Sequence, residues 1–248
     1  MKEAERQRVI LRKLSGMGEA PSRGRAIPTG FGAFDEACGG GLPRGHMVEL
    51  FGPAGCGKTT LAIQIAAHLE RQGLTPAWID VDHTFDPGWA ARLGLDAARM
   101  PVAQPESAEQ SLEMARRLAA SSAVDLLVLD SAAAMLPRLE MSLEIGSAPG
   151  LHSRVMASGL RKLSATLVRS GVCALFLNQM RNKLEASAGK GETSAGGPPL
   201  KLFASVRLMM APAGSGRVAL RIVKNSIAQS AATRDLEWRH GAGFAGSP

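Results

Sequence analysis

The sequence predicts an α/β fold, a mostly parallel twisted sheet with helices on both faces, and three observations predict it. From about residue 47 short apolar runs alternate with stretches of helical length, the rhythm of a wound sheet. The runs MVELF, PAWIDV, VDLLVLD and VCALFLN are apolar nearly throughout rather than at every second residue, which is how strands covered on both faces read. The first of them passes through the glycine-rich turn GPAGCG directly into a helix. A chain of 248 residues has room for one such domain, and ligands of this class bind beyond the carboxyl ends of the strands.

Residues 1–26 read as a short basic helix and linker. In MKEAERQRVILRKL the apolar positions Val9, Ile10 and Leu14 make a narrow stripe, suited either to packing on its own domain or to a partner, before Gly16, Gly18, Pro21 and Gly24 end the helix. The core is expected over 27–240. After MVELF comes a helix from Lys58 to Gln72, then PAWIDV, then a helix opened by Ser107 with Gln110 as its capping-box partner. VDLLVLD, a helix from about Leu151 to Arg169, and VCALFLN follow. Beyond Asn178 the stretch RNKLEASAGKGETSAGG is polar, glycine-rich and too long for a routine connection, which points to a functional or disordered loop. ASVRLMMA and RVALRIVKN read as adjacent strands joined by a PAGSG turn, and 241–248 as a flexible tail.

Composition narrows the function classes. The 29 Lys and Arg against 22 Asp and Glu give a net charge of +7, which favours partners that carry phosphate. Cys38, Cys56 and Cys173 are scattered without a CxxC pair, so neither a disulfide framework nor a zinc site is suggested. The N-terminal segment lacks the apolar centre of a signal peptide and no run approaches a membrane span, so no membrane partner and a cytoplasmic location are expected. Tyrosine is absent and aromatics make 4% of residues, leaving few base-stacking platforms; any nucleic-acid contact should run through backbone amides and basic side chains.

The segment Gly52, Pro53, Ala54, Gly55, Cys56, Gly57, Lys58, Thr59, Thr60 fits G-x-x-x-x-G-K-[ST] between a strand and a helix, as phosphate binding demands. Its backbone N–H groups would curl around a phosphate chain, Lys58 would neutralise the β- and γ-phosphates, and Thr59 would hold Mg²⁺. VDLLVLD ends in Asp130, placed to help hold Mg²⁺ through water. The stretch WIDVDHTFDPGW adds three carboxylates, Asp80, Asp82 and Asp86, with His83 among them; no histidine has a partner at ligand spacing.

These motifs, together with IDVDHTFDP, LNQMR, ETSAGG, LKLFASVRL and VKN in that order, resemble the bacterial RecA recombinase family over roughly 27–230. The resemblance implies a RecA-like ATPase core that takes ATP with Mg²⁺. It places Asp82 where the family has the glutamate that activates the attacking water, Trp89 against adenine, and Gln179 as the sensor of the γ-phosphate. Asp82 is one methylene shorter, which predicts slow hydrolysis. Asp80 is then a buried structural acid, and Asp86 with Pro87 caps the helix that presents Trp89.

The same resemblance makes 181–197 the second DNA loop, with Arg181, Lys183, Leu184 and Lys190 as contacts to single-stranded DNA. The first DNA loop, EIGSAPGLHSRVMASGLRKL, retains Arg154 and Arg161. Lys201 and Lys224 fall at the protomer boundary, but Leu202 stands where the family has phenylalanine, and Ser226 where it has a second lysine. These departures, with the expected lack of a C-terminal DNA-gathering domain, imply an accessory factor similar to ImuA-type proteins. Such a factor acts in the SOS response at the nucleoid, beside RecA and a translesion polymerase. The alternative is a minimal recombinase that assembles with itself and hydrolyses ATP when DNA is bound.

Overall fold

The computed structural model describes residues 26–143, 150–181, 193–195, 197–228 and 233–245. Strand β3 (Met47–Gly52) is buried along its whole length and runs parallel to a neighbour on each side, β7 (Cys173–Arg181) and β9 (Val206–Gly214). Outward from β7 lie β6 (Leu126–Asp130), β4 (Pro76–Asp80) and β5 (Val102–Ala103), all parallel. Outward from β9 the sheet turns antiparallel through β10 (Arg217–Asn225), β11 (Arg234–Arg239) and β12 (Gly243–Phe244). A short β8 (Thr193–Ser194) pairs with the end of β7, and β1 (Ala26–Ile27) with β2 (Leu42–Pro43) forms a separate ribbon.

The continuous apolar runs divide by alternation between two cores. Leu126, Val128, Leu175 and Leu177 face α1 (Gly32–Cys38) and α2 (Lys58–Arg71). Leu127, Leu129, Ala174 and Phe176 face α4 (Ala108–Ser121) and α6 (Leu151–Ser170), the one-turn α5 (Arg138–Met141) lying between those helices in the chain. This is why the runs could not alternate polar with apolar: each face of the sheet is covered by helix. Each fully buried leucine or phenylalanine on these strands contributes roughly 1.5–3 kcal/mol by leaving water.

Several local expectations are met. Ser107 caps α4 by accepting from Gln110 N at 3.3 Å; the Gln110 carboxamide returns to Glu106 N at 2.7 Å rather than to the cap residue itself. Asp86 caps the short α3 (Pro87–Arg92), accepting from Gly88 N and Trp89 N with Pro87 at the first position. Two expectations are corrected. The segment from 241 is not a flexible tail through Ala245, because Phe244 is buried in β12 and its backbone N and O are both bonded to the Gln64 side chain, at 2.8 and 2.9 Å. The long polar stretch does not run unstructured to Gly197, since Thr193 and Ser194 return to β7; α7 (Pro198–Phe203) begins directly after Gly197. Among the described residues no helix is long and apolar enough to cross a membrane. Val9, Ile10 and Leu14 lie outside the described residues.

Candidate functional site

Four neighbouring strands, β3, β7, β6 and β4, end at one edge of the sheet, and the polar residues at their carboxyl ends converge there. The turn after β3 is shaped by glycines with separate reasons. A side chain at Gly52 would meet the Met210 carbonyl of β9 at 2.2 Å, so only glycine allows β3 and β9 to approach this closely. Gly57 has φ +88, which disfavours any other residue, and a Cβ there would meet the Phe244 ring at 2.7 Å. Leu61, Ile65 and Leu69 are among the residues that bury the apolar face of α2, so its amino end and the N–H groups of the turn are fixed toward the sheet edge.

Lys58 folds over the turn, its ammonium donating to Pro53 O at 2.7 Å and Gly52 O at 3.1 Å. Thr59 Oγ1 donates to Asp130 Oδ2 at 2.9 Å, joining the first turn of α2 to the end of β6. Burial pushes the Asp130 carboxyl up to about 6; the charges of Asp82 and Asp80 add to the rise, while the Thr59 hydroxyl and Lys58 oppose it. A carboxylate buried among like charges, beside a threonine hydroxyl and a helix start, is a donor set that fits a hydrated Mg²⁺ with its phosphate ligand. Burial also pushes the Cys56 thiol up, so it stays protonated and fills the turn, as its small size suggested.

The three acids after β4 are unlike one another. Asp80 is wholly buried and accepts from Thr84 N at 3.0 Å, Phe85 N at 3.2 Å and Gln104 Nε2 at 2.9 Å, which makes it the anchor of the loop to α3. Asp82 is half-buried beside Asp130, and its carboxylate accepts from Ser131 N at 3.0 Å and from Ser131 Oγ at 3.1 Å. Asp86 is exposed and caps α3. Trp89 reaches back to the glycine-rich turn's helix, its indole N–H donating to Thr60 Oγ1 at 3.4 Å, while Arg92 lies over its ring at 5.2 Å. The structure thus brings Lys58, Thr59, Thr60, Asp82, Trp89 and Asp130 together, and sets Gln179 directly opposite Gly52 in the β3–β7 register.

Arg154 and Arg161 are exposed on α6, seven residues apart and so on one face; Arg154 lines a cleft of about 350 Å³ between α4 and α6. Lys224 Nζ donates to the Lys201 and Leu202 carbonyls at 3.1 and 3.0 Å, closing the end of α7. Lys183, Leu184, Lys190 and the Arg181 side chain lie outside the described residues. Sequence reasoning missed Ser131, which holds Asp82, and a buried polar group beneath Gln179 formed by Glu49, Asn178, Ser194 and Arg207. The signal was present: Glu49 in MVELF, Asn178 at the end of VCALFLN and Arg207 in ASVRLMMA are polar residues inside apolar strands, of complementary charge.

The family described as the RecA N-terminal domain matches residues 13–245. The chain is 42% identical over 231 residues to Protein RecA of Frankia casuarinae, covering 89% of this chain and 67% of that protein. It is 44% identical over 225 residues to that of Chloroflexus aurantiacus, covering 86% and 64%, and 42% identical over 241 residues to that of Thermus thermophilus, covering 92% and 71%. The chain spans about two thirds of the length of these relatives. With a family match along nearly its whole length and relatives more than 40% identical over most of it, the chain belongs to the RecA family.

Proposed function

We propose that this protein binds ATP with Mg²⁺ at the edge of β3, β7, β6 and β4, and serves DNA recombination and repair by linking the bound nucleotide to single-stranded DNA. The observation that carries this reading is the Thr59–Asp130 contact at the start of α2, with Gln179 set opposite Gly52. Lys58 and the N–H groups of the turn neutralise the β- and γ-phosphates, Thr59 and Asp130 hold the cation, and Trp89 with Arg92 forms the side of the adenine site. Bound Mg²⁺ screens the charge of the phosphates; the chain's own part is to orient the nucleotide and to place Asp82 and Gln179 near its terminal phosphate. Single-stranded DNA contacts fall to Arg154 and Arg161, with Arg181, Lys183, Leu184 and Lys190 completing the second loop, and Val9, Ile10, Leu14, Lys201 and Lys224 serving contact with RecA or a second copy.

We favour an accessory role beside RecA and translesion synthesis over a self-sufficient recombinase. Two observations support it: the Asp82 carboxylate is occupied by Ser131, so it is poorly placed to activate water, and Lys224 is spent on its own chain's carbonyls. Measuring ATP turnover with and without single-stranded DNA, beside capture of RecA on the immobilised chain, tests both readings. Slow turnover with RecA capture is expected. Strong DNA-stimulated turnover with self-assembly would overturn the accessory role and leave the recombinase.

A further inference from the structure

Three polar residues are set deep within the central strands: Glu49 in β3, Asn178 in β7 and Arg207 in β9. Glu49 and Asn178 are wholly buried and Arg207 is 9% exposed. Arg207 Nε donates to Glu49 Oε2, and Arg207 Nη2 to Ser194 Oγ at 3.2 Å. Asn178 Nδ2 donates to Glu49 Oε1 at 2.8 Å and to Ala195 O at 3.0 Å, while Asn178 Oδ1 accepts from Gln179 N at 2.9 Å. Ala195 N donates to Gln179 O at 2.8 Å. The bonds close a circuit from Gln179 through Asn178, Glu49, Arg207, Ser194 and Ala195 back to Gln179. Both polar groups of the Gln179 backbone are therefore held, and the Asn178 carboxamide can take only one orientation, because its donors and its acceptor are all committed.

A buried ion pair is a poor way to stabilise a fold, since apolar residues of equal volume usually do as well or better. What it supplies instead is direction. Glu49 lies three residues before Gly52, on the strand that delivers the glycine-rich turn, and Gly52 faces Gln179 across the β3–β7 ladder. We propose that Glu49, Asn178 and Arg207 are positioning residues for Gln179, holding its backbone in fixed register with the phosphate turn so that the site distinguishes a nucleoside triphosphate from a diphosphate. This rests on the reading of Gln179 as the residue that meets the terminal phosphate.

The test compares dissociation constants for ADP and for the slowly hydrolysed triphosphate ATPγS, both with Mg²⁺, using a fluorescent ADP analogue as the displaced probe on the full chain. Gln179→Ala is expected to reduce the preference for triphosphate on the order of tenfold, the worth of one hydrogen bond to a charged group. Asn178→Ala and the paired change Glu49→Leu with Arg207→Met are expected to reduce it to the same degree, with ADP affinity unchanged. The paired variant separates positioning from stability, because it replaces the ion pair by apolar volume. If it melts at or above the wild-type temperature and keeps the wild-type preference, the circuit is structural only and the inference falls. Should the paired variant not fold, Asn178→Ala, which leaves the ion pair in place, decides by the same ratio. If Gln179→Ala itself keeps the preference, the reading of Gln179 fails and takes the inference with it.

Discussion

Replacing Asp130 by asparagine is expected to stabilise the protein while removing its grip on Mg²⁺. The carboxyl is pushed from its ordinary 3.8 to about 6, first by burial. That is about two units at about 1.4 kcal/mol each, so roughly 3 kcal/mol opposes the ionised form at neutral pH. Asp130 is only 5% exposed, so water screens little of this. The asparagine oxygen keeps the Thr59 hydroxyl bond, and the neutral side chain removes the repulsion from Asp82 and Asp80, so a net gain of about 1–3 kcal/mol is expected. For a chain of this size that raises the melting temperature by about 2–4 °C per kcal/mol. The sign follows from the proton: folding raises this pKa, so the native state binds the proton more tightly, and wild-type stability falls as pH climbs from about 4 to about 6. The variant lacks that slope, so the difference opens over this window and is full above it. Urea unfolding near pH 4 and near pH 8, without Mg²⁺, measures it. A variant no more stable than wild type near pH 8, or a difference as large near pH 4, would refute the buried-acid reasoning.

Asp82→Glu is expected to raise ATP turnover on the order of a hundredfold with nucleotide affinity unchanged, because a carboxylate misplaced by about 1 Å loses that much; steady-state phosphate release checks it, and equal rates would return the slow step to another cause. Mg²⁺-dependent nucleotide affinity is expected to fall about tenfold per pH unit below about 6, as Asp130 takes up its proton; titration calorimetry over that range reads it, and a flat profile would remove Asp130 from the cation site. Phe244→Ala is expected to cost about 3 kcal/mol and to weaken nucleotide binding as well, since the ring lies against Gly57 of the turn; unchanged unfolding would show that β12 adds nothing to the core.

The parallel half of the sheet and its two covering layers were legible because burial on both faces leaves a plain mark, an apolar run that does not alternate. The glycine-rich turn, Asp130 and the Asp86–Pro87 cap were legible because each depends on local spacing. The small elements were not. Strands of two residues such as β8 and β12 carry no period, and the fixing of 243–244 depends on Gln64, some 180 residues earlier in the chain. The Glu49 circuit was hidden for the same reason: its members stand at sequence separations of 129 and 158, and only the pairing of β3 with β7 and β9 brings them together.

The carboxylate trio shows how one methylene can divide two roles. Val81 N and Asp82 N both donate to Asp130 O, at 2.6 and 3.1 Å, and Ser131 N and Oγ donate back to the Asp82 carboxylate. The ends of β4 and β6 are therefore clasped in both directions, and an aspartate has the length that fits the clasp. A glutamate in its place would carry its carboxylate one methylene further and give up those bonds. On the proposed reading of Asp82, strand closure and water activation compete for the same side chain. With aspartate the acid serves the clasp and adds its charge to the environment of Asp130. On the proposed reading of Asp82 as the water-activating acid, its short arm is what slows hydrolysis, so lengthening it is expected to raise turnover while the Ser131 bonds are lost.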